Sequence, residues 1–347
     1  MDAGIIRRRF LKQLLALSAF SAGSTFSFNK GKGFTIGKIN SAEAQVKGSS
    51  RVKKIAVEEH FYTKEYSDIL YSRADWKGSP KGEAATKILE YGEKRIKEMD
   101  ECGIDMQILS LSYPGIDPFK TEDAVSVAKM MNDKISEIVK QYPKRFSGYC
   151  CLPLQDPPAA ADELERAVTK LGLKGAMVNI NTPERWLSDR KYETIFEKVA
   201  GLDVPLYLHT DGPSVEDSGL HIVPEVMRII NGDLLVKYPG LKLILGHAGE
   251  SLPFWLNRLD GRWRYPDRPK KFSQYFKENF YVSTSSQCWP ILLQFLVSAL
   301  GSDRILFGAD YPYESLKQHV DFIDSAPISD DDREKICHLN AERLFKL

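Results

Sequence analysis

Ile55-Ala56-Val57-Glu58-Glu59-His60 is a run of apolar residues that stops on side chains able to bind a metal. Three further segments repeat the form: Pro205-Leu206-Tyr207-Leu208-His209, Lys242-Leu243-Ile244-Leu245-Gly246-His247 and Ile305-Leu306-Phe307-Gly308-Ala309-Asp310. Short apolar runs between turn signals are the pattern of buried parallel strands. In a closed barrel of such strands, polar residues at the C-terminal ends converge on one mouth. Strand ends carrying Glu, His and Asp therefore predict a metal site there, and an enzyme.

Working outward, the chain offers eight strand candidates: Ile55–Phe61, Met106–Ser112, Phe146–Pro153, Leu173–Ile180, Pro205–Thr210, Lys242–Gly249, Phe280–Ser286 and Ile305–Pro312. Amphipathic stretches lie between them. In Asp123–Tyr142, Val125, Ala128, Met131, Ile135, Ile138 and Val139 share a face. Ala159–Leu171, Tyr192–Leu202, Ile222–Tyr238, Leu252–Arg264 and Trp289–Leu300 look similar. Strands alternating with helices imply βαβ units, and eight units imply an α/β fold of the (β/α)8 TIM-barrel type. With no internal linker or repeat, residues 45–347 read as one domain. Tyr62–Glu90, which follows the first strand with weak periodicity, is a lid candidate or a surface loop.

The first 44 residues read as a targeting segment rather than fold. Arg7-Arg8-Arg9-Phe10-Leu11-Lys12 is a twin-arginine pattern, followed by the apolar run Leu14–Phe20. Ala42-Glu43-Ala44 is a small-x-small cleavage candidate. The alternative is a basic disordered tail. Cleavage after Ala44 would remove seven Lys/Arg and two Asp/Glu, moving the formal charge from +1 to −4. Export by the twin-arginine machinery would place the folded protein in the periplasm. No basic cluster remains to suggest nucleic acid, and no later run is long enough to span a membrane. Five cysteines without C-x-x-C spacing argue against a disulfide framework or a thiolate zinc site.

The chemistry rests on a few residues. Glu58 and His60 are two apart on a strand, so both point one way and Glu59 the other. Alone, E-x-H is a weak motif; its place at a strand end strengthens it. His209 ends the fifth strand, where a lone His is more often a satisfied core residue. Asp310 ends the eighth, where the bland reading is a helix cap or turn residue. Glu58, His60, His209 and Asp310 together form a mixed N/O donor set that suits one divalent ion, Zn²⁺ or Mn²⁺. Asp310 would stay ionised beside it. His247 ends the sixth strand, and Glu250, three residues on at the start of a helix, can fix its tautomer. The bland reading of Glu250 is a favourable charge in a helix's first turn.

His221 could face substrate, although a surface role fits it better; His319 and His338 read as structural. Phe61, Tyr62, Tyr113, Trp289, Tyr311 and Tyr313 could wall a flat pocket or pack helices on the barrel. Ser110, Ser112, Ser283, Ser285 and Ser286 could donate to a carboxylate. No G-x-S-x-G elbow supports a serine nucleophile, and no G-x-G-x-x-G follows a strand to bind a dinucleotide.

Ile55–Phe61, Met99–Leu111, Leu243–Glu250 and Ile305–Pro312, in this order, resemble the amidohydrolase superfamily in its aminocarboxymuconate-semialdehyde decarboxylase-like branch. Glu58-Glu59-His60-Phe61 is most similar to the γ-resorcylate and 2,3-dihydroxybenzoate decarboxylases. The resemblance implies a distorted (β/α)8 barrel, one divalent metal held by Glu58, His60, His209 and Asp310, and an active-site pair His247 and Glu250. It also implies a homo-oligomer, dimer or tetramer. Two departures from the hydrolase pattern favour a mononuclear decarboxylase: Glu-x-His replaces His-x-His, and the fourth strand lacks a bridging Lys. The expected reaction is non-oxidative decarboxylation of a small hydroxylated aromatic acid, with Asp310 delivering a proton to the carboxyl-bearing carbon. The rivals are a metal-dependent hydrolase of a lactone or amide, and a non-catalytic metal- or ligand-binding protein.

Overall fold

The structure is a computed structural model and describes residues 26–27, 35–36, 51–73, 78, 80–180, 185–210 and 215–347. The chain divides into two units, Met1–Arg51 and Val52–Leu347. In the first, Phe26–Ser27 pairs antiparallel with Thr35–Ile36. The rest of the expected targeting segment, including Arg7–Lys12, lies outside the described residues.

Among the described residues the second unit carries eight strands: β1 (Ile55–Phe61), β2 (Met106–Leu111), β3 (Phe146–Gly148), β4 (Ala176–Asn179), β5 (Pro205–His209), β6 (Lys242–Leu245), β7 (Phe280–Ser283) and β8 (Ile305–Leu306). Strands β1 to β3 and β4 to β8 pair in parallel, each with its sequence neighbour. Two bridges join the sheets, Cys150 to Ala176 and Glu59 to Tyr311. At the second seam, Val57 N donates to Phe307 O (3.0 Å), Asp310 N to Glu58 O (2.9 Å) and His60 N to Tyr311 O (2.7 Å). The strands therefore close in chain order into a (β/α)8 barrel. Helices such as Thr121–Gln141, Pro157–Thr169 and Glu193–Leu202 follow the strands and bury one face each.

Seven of the eight strands begin at the expected residue, but several end earlier than their apolar runs suggest. β6 stops at Leu245 and β8 at Leu306, so His247 and Asp310 do not end strands; they lie in the turns beyond. The reason is local. His247, Ala248, Glu250, Ser286 and Asp310 have φ of 51, 61, 54, 54 and 70°, a left-handed conformation that a strand ladder cannot accommodate. Such strained residues gather where function over-determines the backbone. Glu250 likewise precedes rather than starts its helix, which runs Leu252–Gly261. The lid candidate after β1 is partly regular: Lys64–Tyr71 is helical, capped by the Thr63 hydroxyl accepting from Tyr66 N, and Ala84–Lys87 forms another turn.

One irregularity aims the first strand. Ala56 pairs with Gln107 and Glu59 with Leu109, so Val57 and Glu58 together oppose one residue of β2. This is a β-bulge, which re-phases the strand. Ile55 and Val57 pack inside the barrel with Ile108, Tyr149, Tyr207 and Ile244. Strict alternation from Val57 would turn Glu58 outward. The bulge instead sends Glu58 and His60 inward and leaves Glu59 and Phe61 facing the helices.

Candidate metal centre

Glu58, His60, His209 and Asp310 each bring one ligand-type atom to within 4.8 Å of the others. Glu58 is fully buried. Its Oε2 accepts from Ser283 Oγ (2.7 Å), Ser285 Oγ and Tyr207 OH. Its Oε1 has no hydrogen-bond partner and lies 3.4 Å from His247 Nε2 and 3.6 Å from His209 Nε2. Three hydroxyls thus hold one oxygen and leave the other facing the cluster.

The two imidazoles are set in the same way. Ser110 Oγ donates to Glu59 O (3.4 Å) and so accepts from His60 Nδ1 at 2.9 Å. His209 Nδ1 donates to Asn179 Oδ1 at 2.9 Å. Both rings then carry their proton on Nδ1 and present an Nε2 lone pair inward, the tautomer a metal requires. Burial, reinforced by the neighbouring His60, holds His209 well below the usual imidazole pKa, so it is neutral. His60 Nε2 lies 3.2 Å from Asp310 Oδ1, yet without hydrogen-bond geometry, and is buried without a partner.

Buried orphaned polar atoms are rare and demand an explanation. Here two of them, Glu58 Oε1 and His60 Nε2, face the same small space as His209 Nε2 and Asp310. Two imidazoles and two carboxylates fit a single divalent cation in that space. The site is crowded enough to specify a glycine: a Cβ on Gly246 would sit 2.9 Å from Glu58 Oε1 and 3.1 Å from both Glu58 Oε2 and Tyr207 OH.

Beside the four stands the expected pair. His247 Nδ1 lies 2.8 Å from Glu250 Oε1, and His247 Nε2 lies 3.7 Å from Asp310 Oδ2. Burial would discharge His247, but the surrounding carboxylates of Glu58, Asp310 and Glu250 outweigh it and hold its pKa well above the usual value. Burial likewise opposes Asp310's charge, but the close approach of His247 and His60 outweighs it and holds the Asp310 carboxyl below the ordinary carboxylate pKa. Ser286 Oγ also donates to Asp310 Oδ2 at 2.7 Å. The site can therefore carry a proton on His247 within reach of an anionic Asp310.

Three of the five candidate serines serve the site's own carboxylates, Ser283 and Ser285 on Glu58 and Ser286 on Asp310; Ser110 meets His60 and Ser112 meets Tyr313 instead. Of the candidate aromatics, Phe61, Tyr62 and Tyr311 are buried in the packing outside the barrel, and Trp289 is 59% exposed. Tyr313 is near the cluster, with its ring 5.8 Å from His60 and its hydroxyl 2.7 Å from Ser112 Oγ. His319 is buried against Ser315 O and His338 sits beside Glu342, both apart from the cluster. The side chain of His221 lies outside the described residues. Sequence reading missed Tyr207 and Asn179. Both carried a signal: Tyr207 shares the inward face of its strand with His209, and Asn179 ends β4.

Known proteins share this chain and its fold. The γ-resorcylate decarboxylase of Polaromonas sp. JS666 is 36% identical over 327 residues, covering 85% of this chain and 98% of that protein. A dihydroxybenzoic acid decarboxylase structure from the same organism, with bound manganese and the inhibitor 2-nitroresorcinol, is 36% identical, with a TM-score of 0.77 and coverage of 86% and 98%. A 2,6-dihydroxybenzoate decarboxylase complexed with 2,6-dihydroxybenzoate is 34% identical, with a TM-score of 0.77 and coverage of 86% and 100%. The amidohydrolase family model matches residues 57–347, from within β1 to the last residue and including the whole cluster, and the chain belongs to that family.

Proposed function

We propose that this protein is a metal-dependent, non-oxidative decarboxylase of a small hydroxylated aromatic carboxylic acid. One observation carries the reading: the buried, partnerless Glu58 Oε1 and His60 Nε2 facing His209 and Asp310. Glu58, His60, His209 and Asp310 would hold one divalent ion, with manganese favoured by the bound structure of a 36% identical relative. When bound, the ion supplies positive charge that favours and orients the anionic oxygens of the acid.

The chain's own residues do the rest. Asp310 takes up a proton as the acid binds and delivers it to the carboxyl-bearing carbon. The new C–H bond interrupts the ring's aromaticity. The carbon–carboxylate bond then breaks, carbon dioxide leaves, and its electron pair restores the ring. His247, 3.7 Å from Asp310, is the adjacent group that can hold a proton, and Glu250 engages its Nδ1. Oxidation state is conserved, so the reaction requires no redox cofactor.

The test is carbon dioxide release by Mn²⁺-loaded residues 45–347 across hydroxybenzoates, with Asp310→Asn alongside. Release that vanishes in the mutant is the expected result. No release from any acid by metal-loaded protein would favour the hydrolase alternative, to be followed with lactones and amides.

The Arg7–Lys12 pattern supports export by the twin-arginine machinery to the periplasm. Phe254, Trp255, Trp289 and Ile291 are 77%, 42%, 59% and 62% exposed. Phe254 contacts Phe295 across two helices, with ring centroids 6.1 Å apart. Clustered exposed apolar groups of this kind mark association surfaces and support a homo-oligomer, checked by size-exclusion chromatography with light scattering.

A further inference from the structure

Glu59 lies between two of the proposed ligands but faces away from them. It is fully buried, as are Gln107 and Arg95 behind it. Burying an ionisable carboxyl and a guanidinium is costly, so structures keep such groups only with specific partners. The partners here run in one line. Glu59 Oε1 accepts from Ala309 N at 3.0 Å, and Glu59 Oε2 accepts from Gln107 Nε2 at 3.1 Å. Gln107 Oε1 accepts from Arg95 Nε at 2.6 Å, and Arg95 Nη1 donates to His60 O at 2.8 Å. The guanidinium stands 4.5 Å from the centre of the Tyr311 ring, whose hydroxyl donates to Glu98 Oε2 at 3.0 Å.

Two ends of this line are backbone atoms of a ligand residue or its immediate neighbour. Ala309 precedes Asp310, and Arg95 grips the carbonyl of His60. The seam it spans, between β1 and the turn after β8, is also where Asp310 N meets Glu58 O. β8 is only two residues long, so beyond it the seam is held by the isolated Glu59–Tyr311 bridge and three backbone hydrogen bonds. The buried side chains behind β1 brace this short seam, and with it the distance from Asp310 to Glu58 and His60.

We propose that Glu59 and Arg95 are positioning residues of the metal centre. With Gln107 they clamp the β1 ligand strand to the Ala309–Tyr311 turn from the outer face of the barrel. The proposal rests on the metal-centre reading above.

The test is Mn²⁺ titration of metal-free protein, followed by the electron paramagnetic resonance of free Mn²⁺, with circular dichroism confirming the fold. Glu59→Leu and Arg95→Met are expected to weaken Mn²⁺ binding by about tenfold or more, as loss of an outer partner of a metal ligand does. Glu59→Gln should recover part of the affinity, because its amide oxygen can still accept from Ala309 N while its amide nitrogen faces the Gln107 Nε2 donor. Should the apolar variants fail to fold, Arg95→Lys decides. It keeps the charge but not the fork that reaches both Gln107 and His60, and weakened binding is again expected. Folded variants that bind Mn²⁺ within twofold of wild type would overturn the inference while leaving the metal centre intact. Wild-type protein that binds no Mn²⁺ would overturn both.

Discussion

Replacing Gly246 by alanine adds one methyl group at the most crowded point of the site. Gly246 has φ −68° and ψ 178°, an extended conformation open to any residue, so the substitution strains no backbone. Its whole effect comes from contact. The new Cβ would lie 2.9 Å from Glu58 Oε1, where ordinary contact begins near 3.4 Å, and 3.1 Å from Glu58 Oε2 and Tyr207 OH. Relief requires the carboxylate to retreat by roughly 0.5 Å, the margin within which a functional constellation must be held. Retreat is obstructed, because Oε2 is tied to Tyr207, Ser283 and Ser285. Overpacking of this kind costs about 1–3 kcal/mol of stability, and displacing a ligand should weaken Mn²⁺ binding and kcat/KM by about 10–100-fold. Gly240→Ala is the control, since its Cβ would meet nothing within 4 Å. Mn²⁺ titration, carbon dioxide release and urea unfolding of both variants provide the measurement. Wild-type Mn²⁺ affinity in Gly246→Ala would refute the claim that Glu58 is rigidly placed.

Two other outcomes are expected. Asn179→Ala removes the acceptor that keeps the His209 proton on Nδ1; Mn²⁺ affinity should fall about 10–100-fold, and an unchanged titration would detach Asn179 from the site. Glu225, raised above its ordinary pKa of 4.5 by burial, with Ser188 and Leu187 partly opposing, retains its proton in the folded state after the unfolded chain has lost it. Its protonation therefore stabilises the fold at low pH, and that stability is lost as pH rises from about 4.5 through the raised folded value. Glu225→Gln should flatten this part of the curve of urea midpoint against pH; an unaltered slope would contradict the burial argument.

The residue pattern by itself determined the architecture. Apolar runs at regular intervals, each followed by an amphipathic helix, can be satisfied only by parallel strands buried on both faces. That logic placed seven strand starts, and the strand-end rule selected Glu58, His60, His209 and Asp310, with His247 and Glu250 beside them. Composition and hydropathy are indifferent to what happened next. The β-bulge that turns Glu58 inward is a register shift against β2, invisible in a period-two pattern because Val57 and Glu58 both face the barrel interior. The left-handed turns holding His247 and Asp310 continue apolar runs that read as strand. The three hydroxyls on Glu58 arrive from Tyr207, Ser283 and Ser285, far away in the chain. The clamp behind β1 joins Arg95, Gln107, Glu59 and Ala309 only once the barrel has closed. Local periodicity decides which face a residue belongs to and which element carries it. Only closure decides which atoms meet, because hydrogen-bond partners across a barrel seam are chosen by geometry and not by neighbours in sequence.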